Sequence, residues 1–190
     1  MNKRHLTASA LLASALVLTA CGNGGNDTAA ETAKGNDADV AFLVGMKPHH
    51  EQAVEMSEMV LAANPPADVA AIAQQIKDAQ APEIEQITTM LADLGEKADT
   101  ESHSGGHSTG MAGHGGMMSD ADMDALMDAT AADAARLYLQ GMVEHHQGAI
   151  DAAETEIADG QYEPAIALAK KIKTAQAAEI VTMRALLKSV

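Results

Sequence analysis

Gly45-Met46-Lys47-Pro48-His49-His50-Glu51-Gln52-Ala53 and Gly141-Met142-Val143-Glu144-His145-His146-Gln147-Gly148-Ala149 are two copies of one pattern, Gly-Met-x-x-His-His-x-x-Ala, set 96 residues apart. The same offset aligns the downstream segments without a gap. Ile76, Lys77, Ala79, Gln80, Ala81, Glu83 and Ile84 recur as Ile172, Lys173, Ala175, Gln176, Ala177, Glu179 and Ile180. The chain is a tandem repeat. Within each copy Met, His, His and Ala fall at positions 0, 3, 4 and 7, which on an α-helix share one stripe about 100° wide. In the first copy the stripe runs on through Met56 and Val60, so the histidines are expected on the core-facing side.

Outward from these motifs the chain reads as helix. Aromatic residues are nearly absent, only Phe42, Tyr138 and Tyr162, while Ala, Leu, Ile, Met, Glu and Gln dominate. These are good helix formers, and the β-branched and aromatic residues that strands prefer are sparse. Four amphipathic segments are predicted. The first covers 39–63 and stops at Asn64-Pro65-Pro66; the second covers 67–94, with Gly95 as its C-terminal cap. The third opens at the N-cap Ser119 and reaches 160, with a break expected near Ala131; the fourth covers 163–189. Each repeat, 42–95 and 138–190, is then a helical hairpin whose apolar stripe can be buried only against the other hairpin. The expected fold is all-α, an antiparallel four-helix bundle over 39–190, with any metal site between facing helices.

The residue types kept in both copies point to metal chemistry. Met46, His49 and His50, with Met142, His145 and His146, pair a soft thioether with imidazoles, a set that suits copper, and Cu(I) above all. Iron and zinc also accept imidazole. Di-iron carboxylate bundles carry Glu-x-x-His, whereas here Met stands three residues before His49 and His145. Glu83 and Glu179 interrupt apolar stripes, and a buried carboxylate is costly unless paired. They are expected to orient imidazoles of the facing helix, with Gln80 and Gln176 one turn earlier completing the network. A His–Glu network of this kind also stands on its own as a structural alternative without metal. Pro48 frees the carbonyl of Val44 and predicts a kink in the first copy, where the second has Glu144. No nucleophile elbow or phosphate-cradling loop is present, and thioether in place of the hard carboxylate argues away from iron–oxygen chemistry, so a binding protein without turnover is preferred to a ferritin-like metal-dependent oxidase.

The N-terminus carries targeting information. Lys3 and Arg4 precede an uncharged apolar run ending in Leu18-Thr19-Ala20-Cys21-Gly22, which has the form of a bacterial lipobox. Residues 1–20 are read as a signal peptide, Cys21 as the lipidated residue and 21–38 as a flexible tether. The domain is therefore expected outside the cytoplasm, anchored to a bacterial membrane face through Cys21. A formal net charge of −15 argues against nucleic acid as a partner. Cys21 is the only cysteine, so a metal must be held by His, Met, carboxylate or backbone.

Between the hairpins lies 96–118, EKADTESHSGGHSTGMAGHGGMM, a Gly, Ser, His and Met tract without apolar periodicity. It reads as a flexible connection. His103, His107, Met111, His114, Met117 and Met118 along it are candidates for accessory metal capture, since flexibility alone requires only Gly and Ser.

The doubled Met-x-x-His-His-x-x-Ala motif resembles the signature of the bacterial domain of unknown function 305 family, and the resemblance covers about 39–190. It implies a ferritin-like four-helix bundle that is exported or membrane-tethered. Some members are described as periplasmic copper-binding proteins, which implies copper as the ligand of Met46, His49, His50, Met142, His145 and His146. The function expected is sequestration of copper or its transfer to a copper-handling protein.

Overall fold

Asn36 starts the first helix. Its side chain accepts the amides of Ala38 and Asp39, and Asp39 reaches back to the Asn36 amide at 2.6 Å, a closed capping box. The computed structural model describes residues 35–96 and 115–190. The signal segment, Cys21, the tether up to residue 34, and His103, His107, Met111 and His114 lie outside the described residues. The described residues form α1 (Asp37–Ala62), α2 (Ala67–Asp93), α3 (Asp120–Asp128), α4 (Ala131–Asp159) and α5 (Glu163–Leu186), with no strand among them.

Helix ends follow local chemistry. α1 stops before Asn64, which takes φ 52°, and Pro65-Pro66 prevents continuation. α2 ends in a Schellman turn: Gly95 sits at φ 84°, its amide bonds Ala92 O, and Glu96 N bonds Leu91 O. The third segment divides where the sequence places its break. Ser119 caps α3 by accepting the amide of Asp122, and α4 restarts at Ala131. α1 runs as one helix through Pro48, which is exposed together with Val44. Water can take up the carbonyl that proline leaves unbonded on that face.

The hairpins α1–α2 and α4–α5 pack so that α1 lies on α4 and α2 on α5. α1 and α4 are antiparallel. Asn36 Nδ2, at the start of α1, donates to Asp159 O, and Ala131 N, at the start of α4, donates to Ala63 O. α3 lies across α1 and α4 and contributes Met123 and Leu126 to the core. Two apolar clusters fill the bundle, one toward each end. Met46 belongs to the cluster with Ala149, and Met142 to the cluster with Ala53. The motif alanine of each copy thus shares a cluster with the motif methionine of the other, and the small Cβ allows close helix approach.

One end departs from the repeat. Asp39 is fully buried and accepts the backbone amides of Asn36, Gln161 and Tyr162, tying the start of α1 to the α4–α5 turn. Glu156, also buried, faces Asp39, and no donor reaches its oxygens among the described residues. Burial and the neighbouring Asp39 carboxylate push Glu156 up to about 8, so it holds a proton at neutral pH. Burial raises Asp39 too, but the amides and the Glu156 hydrogen bond outweigh it and hold it below the usual range. The repeat offset places Ala135 and Val60 at the corresponding positions, where the other end of the bundle is apolar.

Candidate metal centre

Four fully buried imidazoles lie between the apolar clusters: His49 and His50 from α1, His145 and His146 from α4. Adjacent residues on a helix point about 100° apart, and here the two directions have different partners. His50 turns toward α2, with Nε2 2.8 Å from Glu83 Oε2; His146 turns toward α5, with Nε2 2.8 Å from Glu179 Oε2. His49 and His145 face each other where α1 meets α4. Their ring centroids are 3.7 Å apart and the planes are tilted by 41°. The repeat brings the inner histidines together and sends the outer ones to carboxylates.

Each carboxylate also reaches across to the other hairpin. Glu83 Oε1 is 3.1 Å from Lys171 Nζ on α5, and Glu179 Oε1 accepts from Gln75 Nε2 on α2 at 3.0 Å. Gln75 and Lys171 are equivalent by the repeat offset, so the two His–Glu pairs share geometry but not charge. Burial raises Glu83, yet His50 and then Lys171 outweigh it, and its carboxyl lies below the ordinary glutamate value. Gln80 does not enter this network: neither atom of its buried amide has a hydrogen-bond partner among the described residues. Lys171 already occupies the second oxygen of Glu83, and Gln75 that of Glu179. The Gln176 amide oxygen is likewise without a partner.

The electrostatics keep His145 and His146 neutral. Burial, and then the neighbouring His49, His146 and His50, hold His145 well below the ordinary imidazole value; the backbone of His49 acts weakly the other way. His146 is also lowered, by burial first, with Glu179 opposing. A neutral imidazole carries one N–H and one lone pair. A carboxylate or carbonyl can only accept, so the N–H of His50 and His146 must sit on Nε2. In neutral His146 that leaves the lone pair on Nδ1, and neither Nδ1 of the two rings has a hydrogen-bond partner among the described residues. His49 Nε2 faces the carbonyl of Gly115 at 3.4 Å, which favours the same tautomer. Neither ring nitrogen of His145 makes a hydrogen bond of ordinary geometry. Histidines that ligate metals typically donate their other N–H to a carboxylate or carbonyl, and three of these four do so. Met46 and Met142 are fully buried one turn before the histidines. Among the described residues no three His, Cys, Asp or Glu side chains are grouped as a metal-holding set.

Of the tract's candidates, Met117 and Met118 are described. Met117 is exposed, and Met118 packs partly buried against the apolar core. Lys171, Gln75, Gln52 and Gly148 escape a motif search because they differ between the copies. Their signal was the mismatch itself, at positions where the surrounding repeat agrees.

The architecture defines a class: a bundle of two duplicated helical hairpins with a pair of histidines buried against each other at its middle. The chain belongs to the DUF305 family, a domain of unknown function, which matches residues 39–187. Among solved structures it is similar to a candidate secreted DUF305 protein from Streptomyces coelicolor, at 32% identity and TM-score 0.70, covering 80% of this chain and 93% of that one. A DUF305 fragment from Deinococcus radiodurans matches at 26% identity and TM-score 0.70, covering 82% and 98%. CopM in its Cu(I)-bound form matches at 25% identity and TM-score 0.65, covering 80% and 96%; CopM has also been solved bound to Cu(II). No curated protein matches the chain. None of the described helices is long and apolar enough to cross a membrane.

Proposed function

We propose that this protein binds copper outside the cytoplasm, holding Cu(I) at the centre where its two Met-x-x-His-His motifs meet, for sequestration or transfer without turnover. One observation carries the reading. With Nε2 of His50 and of His146 bonded to Glu83 and Glu179, the Nδ1 atoms of both rings are buried without a hydrogen-bond partner among the described residues, and the paired rings of His49 and His145 and the thioethers Met46 and Met142 are fully buried as well. Cu(I) is soft, takes few donors and accepts imidazole and thioether. Neutral imidazoles bind without first losing a proton. The Cu(I)- and Cu(II)-bound states of CopM, a protein of similar fold, support the choice of metal. The lipobox at Cys21 supports attachment to the outer face of a bacterial membrane, where a copper-handling protein is the expected partner. A metal-free structural network is the second reading, favoured by the closure of both His–Glu pairs.

Anaerobic titration against a chromogenic Cu(I) chelator separates the two. Wild type is expected to compete for Cu(I), and replacing 97–114 by a Gly-Ser linker of equal length should lower the number of ions bound. The tightest affinity should stay within a few-fold. A Gly-rich tract must freeze backbone at about 1–2 kcal/mol per residue to form a site, whereas the bundle presents its donors already ordered. If the replacement removes the tight component, the tract is the binding element and the bundle its scaffold.

A further inference from the structure

The repeat symmetry is broken most sharply beside the histidine pair, and one short segment breaks it. Residues 115–118 leave the tract and lie between α1 and α4, over the contact between His49 and His145. Gly115 O approaches His49 Nε2 at 3.4 Å. Gln52, on α1, grips the next turn of chain twice: its Nε2 donates to Met118 O at 3.0 Å and its Oε1 accepts from Met118 N at 2.9 Å. On α4, a Cβ at Gly148 would overlap the Gly115 carbonyl. Gly116, at φ 90°, lies so close to the backbone of Glu144 and His145 that a side chain there would collide. A Cβ at Gly141 would stand 2.7 Å from Met118 Sδ. Gln52 and Gly148 occupy equivalent repeat positions. One copy clamps the segment and the other makes room for it.

We infer that Gly115–Met118 is a strap sealing the histidine centre, and that its release from Gln52 and Gly148 gives a soft metal ion access to His49 and His145. The inference rests on the copper reading for the identity of the ion, but not for the geometry of the seal. His49 is fully buried, and the strap supplies the carbonyl against its Nε2. The contacts holding the strap are few and local: two hydrogen bonds from one side chain, a close fit of Gly115 and Gly116 against the α4 backbone, and the partly buried side chain of Met118 on the apolar core. Such a segment opens without unfolding the bundle. On its outer side Met117, Met118, Asp122, Gln140 and Glu144 line a cavity of about 200 Å³, which places thioethers and carboxylates where an arriving cation would first meet the strap. The strap is a positioning and gating element rather than a ligand set.

Two variants loosen it by different means. Gly148→Ala removes the space beneath Gly115 while improving helix propensity, so the bundle is not weakened. Gln52→Ala removes both hydrogen bonds and serves should Gly148→Ala fail to fold. The metal-free proteins are treated with diethyl pyrocarbonate, and modification of His49 and His145 is followed by peptide mapping, with far-UV circular dichroism as the control. Cu(I) uptake from a chelator is timed separately. Both rates are expected to rise about tenfold or more, tenfold being about 1.4 kcal/mol in the open population and within reach of two hydrogen bonds. Modification at the wild-type rate in both folded variants overturns the strap. So does Cu(I) uptake that stays at the wild-type rate while modification accelerates. If modification accelerates but wild type and variants alike bind no Cu(I), the strap stands and the copper reading falls.

Discussion

Replacing His145 by leucine is expected to raise the stability of the metal-free protein, and combining it with His49→Leu to abolish tight Cu(I) binding. His145 is fully buried and neither of its ring nitrogens makes an ordinary hydrogen bond among the described residues. An unsatisfied buried polar group costs about 1–3 kcal/mol, and leucine of similar volume would sit between two apolar clusters. A gain of about 1–2 kcal/mol in denaturant unfolding is therefore expected from His145→Leu alone. Function kept at the expense of stability is the pattern of a ligand site. A structural role for the pair requires the reverse: a loss of stability in the single variant, and Cu(I) affinity in the double variant equal to wild type. His50 and His146 differ, because truncating either leaves a buried glutamate with one partner fewer.

The largest effect of pH is expected from Glu156, far from the histidines. Its folded pKa, about 8, lies above the ordinary 4.5. A raised pKa means that the folded state binds the proton more tightly than the unfolded chain. The stabilisation is full below about 4.5, fades as pH rises, and is gone above about 8. Each unit within that window is worth about 1.4 kcal/mol, so Glu156 by itself contributes a loss of roughly 2–3 kcal/mol between pH 6 and pH 8. His145 and His146, lowered in the folded state, act the other way and add stability as pH rises through the ordinary imidazole value. Asp39 has the opposite sign: its lowered pKa contributes stability that is lost as pH falls through its folded value. The pair behaves as a dyad sharing one proton. Glu156→Gln keeps a donor toward Asp39 without titrating. Denaturant unfolding at the two pH values should show the variant's change in stability displaced from wild type's by roughly 2–3 kcal/mol in the stabilising direction at pH 8; a slope equal to wild type would place the proton elsewhere.

Much of this was legible in the repeat. Its period gave two hairpins, and stripe geometry placed Met46, His49, His50 and Ala53 inward because helical spacing fixes which residues share a face. Asn64-Pro65-Pro66, Gly95 and Ser119 marked helix ends because their chemistry is local. The expectation that Glu83 and Glu179 need buried partners followed from the cost of an unpaired charge. What sequence left open was which histidine took the carboxylate, since adjacent residues 100° apart are indistinguishable until the helices are packed. Lys171 and Gln75 were illegible for a related reason: their contacts cross from one hairpin to the other. Asp39 and Glu156 are separated by more than a hundred residues and have no counterpart in the repeat. The docking of Gly115–Met118 depends on glycines that read, one by one, as ordinary linker or helix residues.

The most direct test of the centre is a long-range ¹H–¹⁵N spectrum of the histidine rings, with and without one equivalent of Cu(I) under anaerobic conditions. The metal-free protein should show His50 and His146 protonated at Nε2, held there by Glu83 and Glu179. On adding Cu(I), ring nitrogens of the buried histidines should shift by tens of ppm, Nδ1 for those hydrogen-bonded through Nε2, while the N–H of His50 and His146 stays on Nε2. Shifts confined to His103, His107 and His114, with all four buried rings unchanged, would contradict a copper centre in the bundle.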